Sequence, residues 1–362
     1  MHKKPGFILF LLFSILSMCS VILSLYFSQT VMYRQLMTTI ITKQKTDRLA
    51  LGCVALAHNI ITAEPKKKDS QSSATKTTTP WAPKTADDGK DSTSDKAKDY
   101  ETLLKQIFPY FNKQESFELT KKDDGVDAKI SITIQSEQGK LNLNSLYDIE
   151  KKKFVDDGKP NDRKKICVWL FEKIAQITKT QTLFPAFEKH LSSRKADFND
   201  VTELLSIKEF ETVFHDRVFF NFNTQPAENL FLTDIFTVST EEETINPWLF
   251  SYSWCKILGL KPKQTLTDEE KNKLFKISGE AHDWATDWKS NWENLATLYQ
   301  KEYKDLAQEI KTILTPLFEV NIFSLQLKAN IKETSSTIFT IVRSKKAKNN
   351  LVSIETMKTY QI

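Results

Sequence analysis

Between Phe7 and Tyr33 the chain carries no charged side chain, and that absence shapes the reading of everything after it. The uncharged run exceeds the roughly 20 residues that a helix needs to cross a bilayer. It is also longer than the roughly 7–15-residue apolar core of a cleavable secretory signal, and no small-residue cleavage site follows it. A retained single-span anchor is therefore expected. His2, Lys3 and Lys4 precede the run, which favours a cytoplasmic N-terminus and puts everything beyond about residue 30 outside the cytoplasm.

Other absences exclude classes of chemistry. Glycine occurs only 8 times in 362 residues, and no P-loop, GxGxxG or GxSxG is present. The five histidines are scattered, with no HExxH and no His-x-x-x-His pair. His215-Asp216 and His282-Asp283 are chain neighbours, and neighbours on a helix or strand do not face each other. None of the four cysteines forms a CxxC pair, so a zinc site is not expected. Cys167 and Cys255 are the candidate disulfide in an extracytoplasmic setting, with two buried free thiols as the other reading. The acidic turns Asp123-Asp124-Gly125-Val126-Asp127 and Asp156-Asp157-Gly158 lack the alternating oxygens and distal glutamate of a calcium loop. Lys and Arg total 51 against 46 Asp and Glu, a net charge of +5, which is no nucleic-acid footprint. The turn Lys208-Glu209-Phe210 has no glycine with which a helical hairpin would grip phosphate.

What is present points to a long helix and a mixed globular part. Residues 30–62 contain no proline, and Met32, Leu36, Ile40, Leu49, Leu56 and Ile60 keep an approximate helical spacing. One helix over 7–62 would be about 80 Å long. Ser14, Ser17, Ser20, Ser24 and Ser28 share one stripe of it. Two readings stand: a face built to pack against other helices, or serines merely tolerated in an apolar span. Residues 63–99 are Ser, Thr, Lys, Asp and Pro almost without aliphatics, which predicts a disordered loop, with Trp81 an exposed residue or a docking anchor. A short helix is expected at Leu103–Phe111. Ile130, Ile132 and Ile134 alternate as a strand, and the turn Glu137-Gln138-Gly139 followed by Leu141–Asn144 reads as a hairpin.

Helices follow at Ile166–Ile177, Phe184–Leu191 and Val201–Phe210, the last capped by Asp200. A strand is expected at Ile235–Val238 and a helix at Pro247–Leu258, and Thr267-Asp268-Glu269-Glu270 reads as a capping box. A long helix is expected over 282–314, with Trp284, Trp288 and Trp292 on one face. Three strands then form a C-terminal meander: Phe323–Ile331, Thr337–Arg343 and Leu351–Met357. The fold class is α+β: a long N-terminal transmembrane helix, an antiparallel sheet and an inserted all-α domain. The expected divisions are 1–6, 7–62, 63–99, 100–160, an α-helical insertion over 161–232, and 233–362.

The N-terminus resembles a prepilin-type signal: a short basic leader, Gly6, then an apolar helix opening at Phe7. The resemblance implies cleavage by a prepilin peptidase between Gly6 and Phe7, and methylation of the new amine. Most such proteins carry glutamate at the fifth mature position, where this chain has Leu11. Lack of that glutamate is a trait of the K-type minor pseudopilins of type II secretion systems (the general secretion pathway protein K family). Glu137 to Leu146, with Asn142 and Asn144, resembles that family's G-x-(F/I/L)-N-L-N-x-L strand. Asp200 to Ile207, with Glu203 and Leu204, resembles its S-E-L helix. Phe236–Thr240 with Ile245-Asn246-Pro247 is similar to its T-V-Y-S and I-N-V-N-T-A blocks, and the closing strands follow in the family's order. That sheet is accordingly expected to be pilin-like.

Departures from the family pattern are Trp248-Leu249-Phe250 in the I-N-V-N-T-A block, Glu209 for a hairpin glycine, and Pro5 before Gly6. Some members of the family bind calcium, but their D-W-I-D-x-D stretch has no match around Val168–Phe171, and no cofactor is expected. The resemblance implies a subunit at the tip of the pseudopilus. Its partners would be other minor pseudopilins, the prepilin peptidase and the inner membrane, with the C-terminal part in the periplasm. A single-span extracytoplasmic interaction protein, or a type IV minor pilin, is the alternative.

Overall fold

The computed structural model describes residues 5–62, 112–155, 162–220, 229–261, 267–272, 288–314, 321–346 and 352–361. The expected loop over 63–99, the helix Leu103–Phe111, the Asp156-Asp157-Gly158 turn, Trp81, Trp284 and the His282-Asp283 pair lie outside the described residues.

Helix α1 runs unbroken from Pro5 to Thr62. It starts two residues earlier than expected, with Pro5 in the first turn, where a missing N–H breaks no helical bond. It is long and apolar enough to cross a membrane. Near its C-terminal end Thr46, Ala50, Cys53, Ala57 and Ile61 are buried, at steps of four, three, four and four. That spacing makes a single stripe, which packs across a five-stranded sheet.

The sheet is antiparallel throughout, in the order β1 (Glu115–Leu119), β2 (Ala128–Ser136), β7 (Ile322–Ile331), β8 (Thr334–Lys346) and β9 (Val352–Gln361). The expected meander is therefore present, with its last strand running on to Gln361. Register puts Ile132, Leu327 and Ile338 directly opposite one another. With Ile130, Ile134, Leu325 and Val342 they form the apolar face, in one cluster with Ala50, Cys53, Ala57 and Ile61 of α1. The other face presents Ser131, Thr133, Gln135 and Ser324, and these polar residues are buried too. What meets this second face is the helical part of the chain. Phe219 lies 5.0 Å from Phe339, ring centre to ring centre, and the Gln326 amide donates to the Phe220 carbonyl.

That helical part holds α3 (Asp162–Thr178), α4 (Phe184–Ser193), a 3₁₀ turn at Val201–Ser206 and α5 (Lys208–Phe214). An aromatic group binds them together: Phe171 is 5.0 Å from Phe187 and 5.5 Å from Phe210. Aromatic contacts of this kind add about 0.5–1.5 kcal/mol each beyond the area they bury.

Four expectations are corrected in detail. Leu141–Asn144 does not fold back on β2, because both edges of β2 are already paired with β1 and β7. Instead the 3₁₀ turn Glu137–Gly139 redirects the chain, and β3 (Leu141–Asn142) pairs in parallel with β6 (Phe236–Thr237). The helix expected over Val201–Phe210 breaks at Ile207, whose extended backbone opens α5 while its side chain is buried. Pro247–Leu258 is a 3₁₀ turn at Pro247–Leu249 followed by α7 (Tyr252–Ile257), which Ser251 caps. The helix expected over 282–314 is described as α8 (Trp288–Tyr299) and a separate short helix at Gln308–Lys311. Gln300, at a φ of 52°, turns the chain back so that the Trp292 indole donates to the Lys301 carbonyl at 2.8 Å. The capping box at Thr267 is present, with reciprocal bonds to Glu270 of 2.9 and 3.2 Å.

Two glycines test this packing in opposite directions. A Cβ on Gly139 would sit 1.8 Å from the Leu249 carbonyl oxygen, where two backbone segments cross. Gly139→Ala should therefore cost at least about 2 kcal/mol, read by denaturant unfolding of the detergent-solubilised protein. Gly52, in mid-helix, would meet nothing within 4 Å. Gly52→Ala should leave the protein about 0.5–1 kcal/mol more stable in the same measurement.

Candidate functional site

The chemistry-bearing residues gather at two places: the seam between the sheet's polar face and the helical part, and the length of α1. At the seam, Lys140 is fully buried, and its Nζ lies 2.5 Å from Glu137 Oε1 and 3.0 Å from Ser324 Oγ. The other Glu137 oxygen accepts the Thr237 hydroxyl at 2.5 Å. Asp234, which is wholly buried, accepts the Gln135 amide at 2.7 Å and the Ser253 N–H at 2.6 Å. Burial pushes the Asp234 carboxyl above its ordinary pKa, and Lys140 with the donors from Ser253 and Gln135 opposes that without cancelling it. Lys140, Glu137 and Asp234 thus each have hydrogen-bond partners within this network.

The asparagines and their companions in the quoted motifs join loops along this seam. Asn142 donates to the Thr240 carbonyl at 2.8 Å and accepts the Asn144 N–H at 3.0 Å. Asn144 both donates to and accepts from the Phe198 backbone, at 3.0 and 2.8 Å. Asn246 accepts the Trp248 N–H at 3.0 Å, and its own N–H donates to the Gln138 carbonyl at 2.7 Å. Glu203 completes a capping box with Asp200 and holds Arg194 at 2.9 Å, and Leu204 is fully buried. Asp200 caps the turn through the Thr202 N–H at 2.8 Å and also accepts Tyr360 and Lys358 from β9. Burial pushes the Asp200 carboxyl up, but Tyr360, Thr202 and Lys358 outweigh it and hold its pKa below the usual range. The sequence motifs mark Asn142, Asn144 and Asp200 but assign no part to Asp234 or to Lys140, because the burial of a charged residue has no periodic signature.

Along α1, Leu11 and Ser14, Ser17, Ser20, Ser24 and Ser28 are all exposed. Gly6 and Phe7 lie within the helical backbone. Ser28 and Thr46 are separated by 18 residues, five helical turns, so the serine stripe continues the side of α1 that meets the sheet. Cys167 and Cys255 are both buried free thiols, not a disulfide. Burial pushes the Cys167 thiol up to about 12 and raises that of Cys255 as well, the reverse of what a nucleophile needs. His215 and Asp216 are exposed and 3.8 Å apart.

Among the described residues no three His, Cys, Asp or Glu side chains gather to hold a metal. In the acidic turn after Thr120, Asp124 accepts the Thr120 N–H and Asp127 the Lys121 N–H, so these carboxylates close the turn on itself. They do not fit a calcium site.

No family model matches the chain, and no curated protein matches it. Among solved structures it is similar to one described as the GspK-GspI-GspJ complex from the enterotoxigenic Escherichia coli Type 2 Secretion System. The identity is 12%, over 92% of this chain and 99% of that chain, with a TM-score of 0.37. A likeness of that weight identifies neither the fold nor the role of the chain.

The two seam carboxylates should respond to pH in opposite senses. The lowered pKa of Asp200 means that its contribution is present above the unfolded carboxylate value, near 4, and is lost as pH falls through the folded value. Asp200→Asn keeps the cap but loses the charge facing Lys358 and Tyr360, and should thus destabilise by about 1 kcal/mol at pH 7 and by less at pH 3. The raised pKa of Asp234 means that its contribution is present below the unfolded value and is lost as pH rises through the folded one. Asp234→Asn should therefore compare more favourably with wild type at pH 8 than at pH 4. Melting temperatures of the three proteins across that pH range check both signs.

Proposed function

We propose that this chain is a K-type minor pseudopilin that caps the tip of a type II secretion pseudopilus and helps start its assembly. The observation that carries the reading is the division of α1. Its N-terminal part is apolar and exposed from Leu9 onward, while its last turns pack on an antiparallel sheet. A helix so divided can sit in the bilayer with its globular part held outside it, and can leave the bilayer helix-first into a filament. In this reading residues 7–33 cross the inner membrane, the N-terminus is cytoplasmic and the globular part is periplasmic.

Leu11 supplies the mechanism. In a pseudopilus, a carboxylate at the fifth mature position of one subunit compensates the freed N-terminal amine of its neighbour. A leucine there offers no such compensation, so nothing is expected to stack above this subunit. The helical part, lying against the sheet face opposite α1, adds bulk in the same sense. The role is structural and needs no cofactor, and its partners are the other minor pseudopilins.

Two experiments test the reading. Protein purified from cells with an active prepilin peptidase should begin at Phe7, with a methylated amine. A chain still beginning at Met1 points instead to an unprocessed single-span interaction protein. Leu11→Glu should reduce secretion several-fold while leaving thermal stability unchanged. Unaltered secretion and unaltered assembly of the minor subunits would remove the capping role.

A further inference from the structure

The segment that leaves α4 is built around one guanidinium. Arg194 donates through Nε to the Ala196 carbonyl at 3.0 Å. One terminal nitrogen donates to the Asp197 carbonyl at 2.8 Å and to Glu203 Oε2 at 2.9 Å. The guanidinium carbon sits 3.8 Å over the centre of the Phe198 ring. The other terminal nitrogen lies 3.3 Å from His190 Nε2, one turn back on α4, and the His190 ring stacks on Phe198 with 6.0 Å between centres.

That contact fixes a protonation state. Arginine has donors only, so His190 Nε2 must be the acceptor, and the ring is neutral with its proton on Nδ1. A proton on Nε2 would remove the acceptor and set two cations 3.3 Å apart. The charged groups acting on the ring are Arg194, beyond the end of its own helix, and Glu203, from the neighbouring 3₁₀ turn. The C-terminal end of α4 favours a cation, and Arg194, its capping residue, already supplies one. Glu203 also favours the imidazolium, but its carboxylate is committed to Arg194 and to the N–H groups of Asn199 and Asp200, at 2.7 and 3.0 Å. The next charges along the chain, Asp200 and Lys358 of β9, pair with each other at 3.3 Å. Burial and Arg194 prevail, and hold the His190 pKa below its ordinary value of about 6.5.

The segment joins three parts of the fold. Phe198 is bonded through both backbone groups to Asn144, at 2.8 and 3.0 Å. The Asn199 carbonyl accepts Lys358, and Asp200 accepts Lys358 and Tyr360. Residues 194–200 therefore tie the helical part to the turn after β3 and to the edge strand β9. We infer that His190 is a pH-sensitive latch: protonation of Nε2 displaces Arg194 and opens the 194–200 junction, loosening the helical part from β9. The stabilisation is complete above about pH 6.5 and is lost as pH falls through the folded value.

His58 of α1 also has a lowered pKa, by burial, so a global melting temperature would not separate the two histidines. Peptide-resolved hydrogen exchange of the full-length, detergent-solubilised protein does, because the N–H groups of Phe198, Asn199 and Asp200 are all bonded in the closed junction. After correction for the intrinsic pH dependence, exchange over 194–200 should be at least about three-fold faster at pH 5 than at pH 7.5, with α3 unchanged. His190→Gln, whose amide oxygen accepts from Arg194 at every pH, should lose that dependence and stay protected. His190→Lys, a permanent cation, should exchange at pH 7.5 as fast as wild type does at pH 5. An equal pH response in wild type and His190→Gln overturns the latch. So does wild-type exchange that is the same at both pH values, or a response shared by α3. The comparison with His190→Gln decides the matter even where His190→Lys does not fold.

Discussion

An ammonium and a carboxylate sealed from water, Lys140 and Glu137, fix how the layers of this molecule meet. Taking such a pair out of water is expensive, and the loss is recovered only when the geometry is good and the remaining donors and acceptors are filled. Here the Ser324 hydroxyl of β7 accepts a hydrogen bond from Lys140, and the Thr237 hydroxyl of β6 donates one to the second Glu137 oxygen. The pair therefore ties the turn after β2 to a strand of the main sheet and to the short parallel pair at once. Sliding any one of these elements would leave a buried charge unpaired, at a cost of about 3–5 kcal/mol. The cluster sets register more than it adds stability.

This constraint explains why the sheet has two buried faces of different character. The apolar face accepts the small side chains Ala50, Cys53 and Ala57 of α1, which let a helix lie close. The polar face accepts the helical part through directed bonds: Gln135 to Asp234, Gln326 to the Phe220 backbone, and Tyr360 and Lys358 to Asp200. Directed bonds define a position, whereas apolar contact alone tolerates sliding. The helical part is thus held in one place on the sheet, while α1 is placed by close packing.

How much of this was legible in the residues depends on the kind of signal each element carries. Helix α1, the strand at Ile130–Ile134, the C-terminal meander and the Asp200 cap follow local rules of period and capping, and all were readable. The hairpin after β2 was misread because alternation at Leu141–Asn144 reports extended backbone but not its partner. That partner is fixed by β1 and β7 having already taken both edges of β2. The breaks at Ile207 and Gln300 carry no glycine or proline, since tertiary burial of Ile207 and the Trp292–Lys301 bond enforce them. Ser131, Thr133 and Gln135 alternate with the isoleucines of β2. Only the helical cover shows that they are buried, and nothing local to β2 encodes it.

The same reasoning separates the two sides of α1. On the inner side, small residues are explained by the sheet they touch, and Ser28 continues that side into the uncharged run. On the outer side, Gly52 and the cations at Lys45 and Arg48 have no counterpart among the described residues of the chain. A fold needs no glycine where nothing approaches.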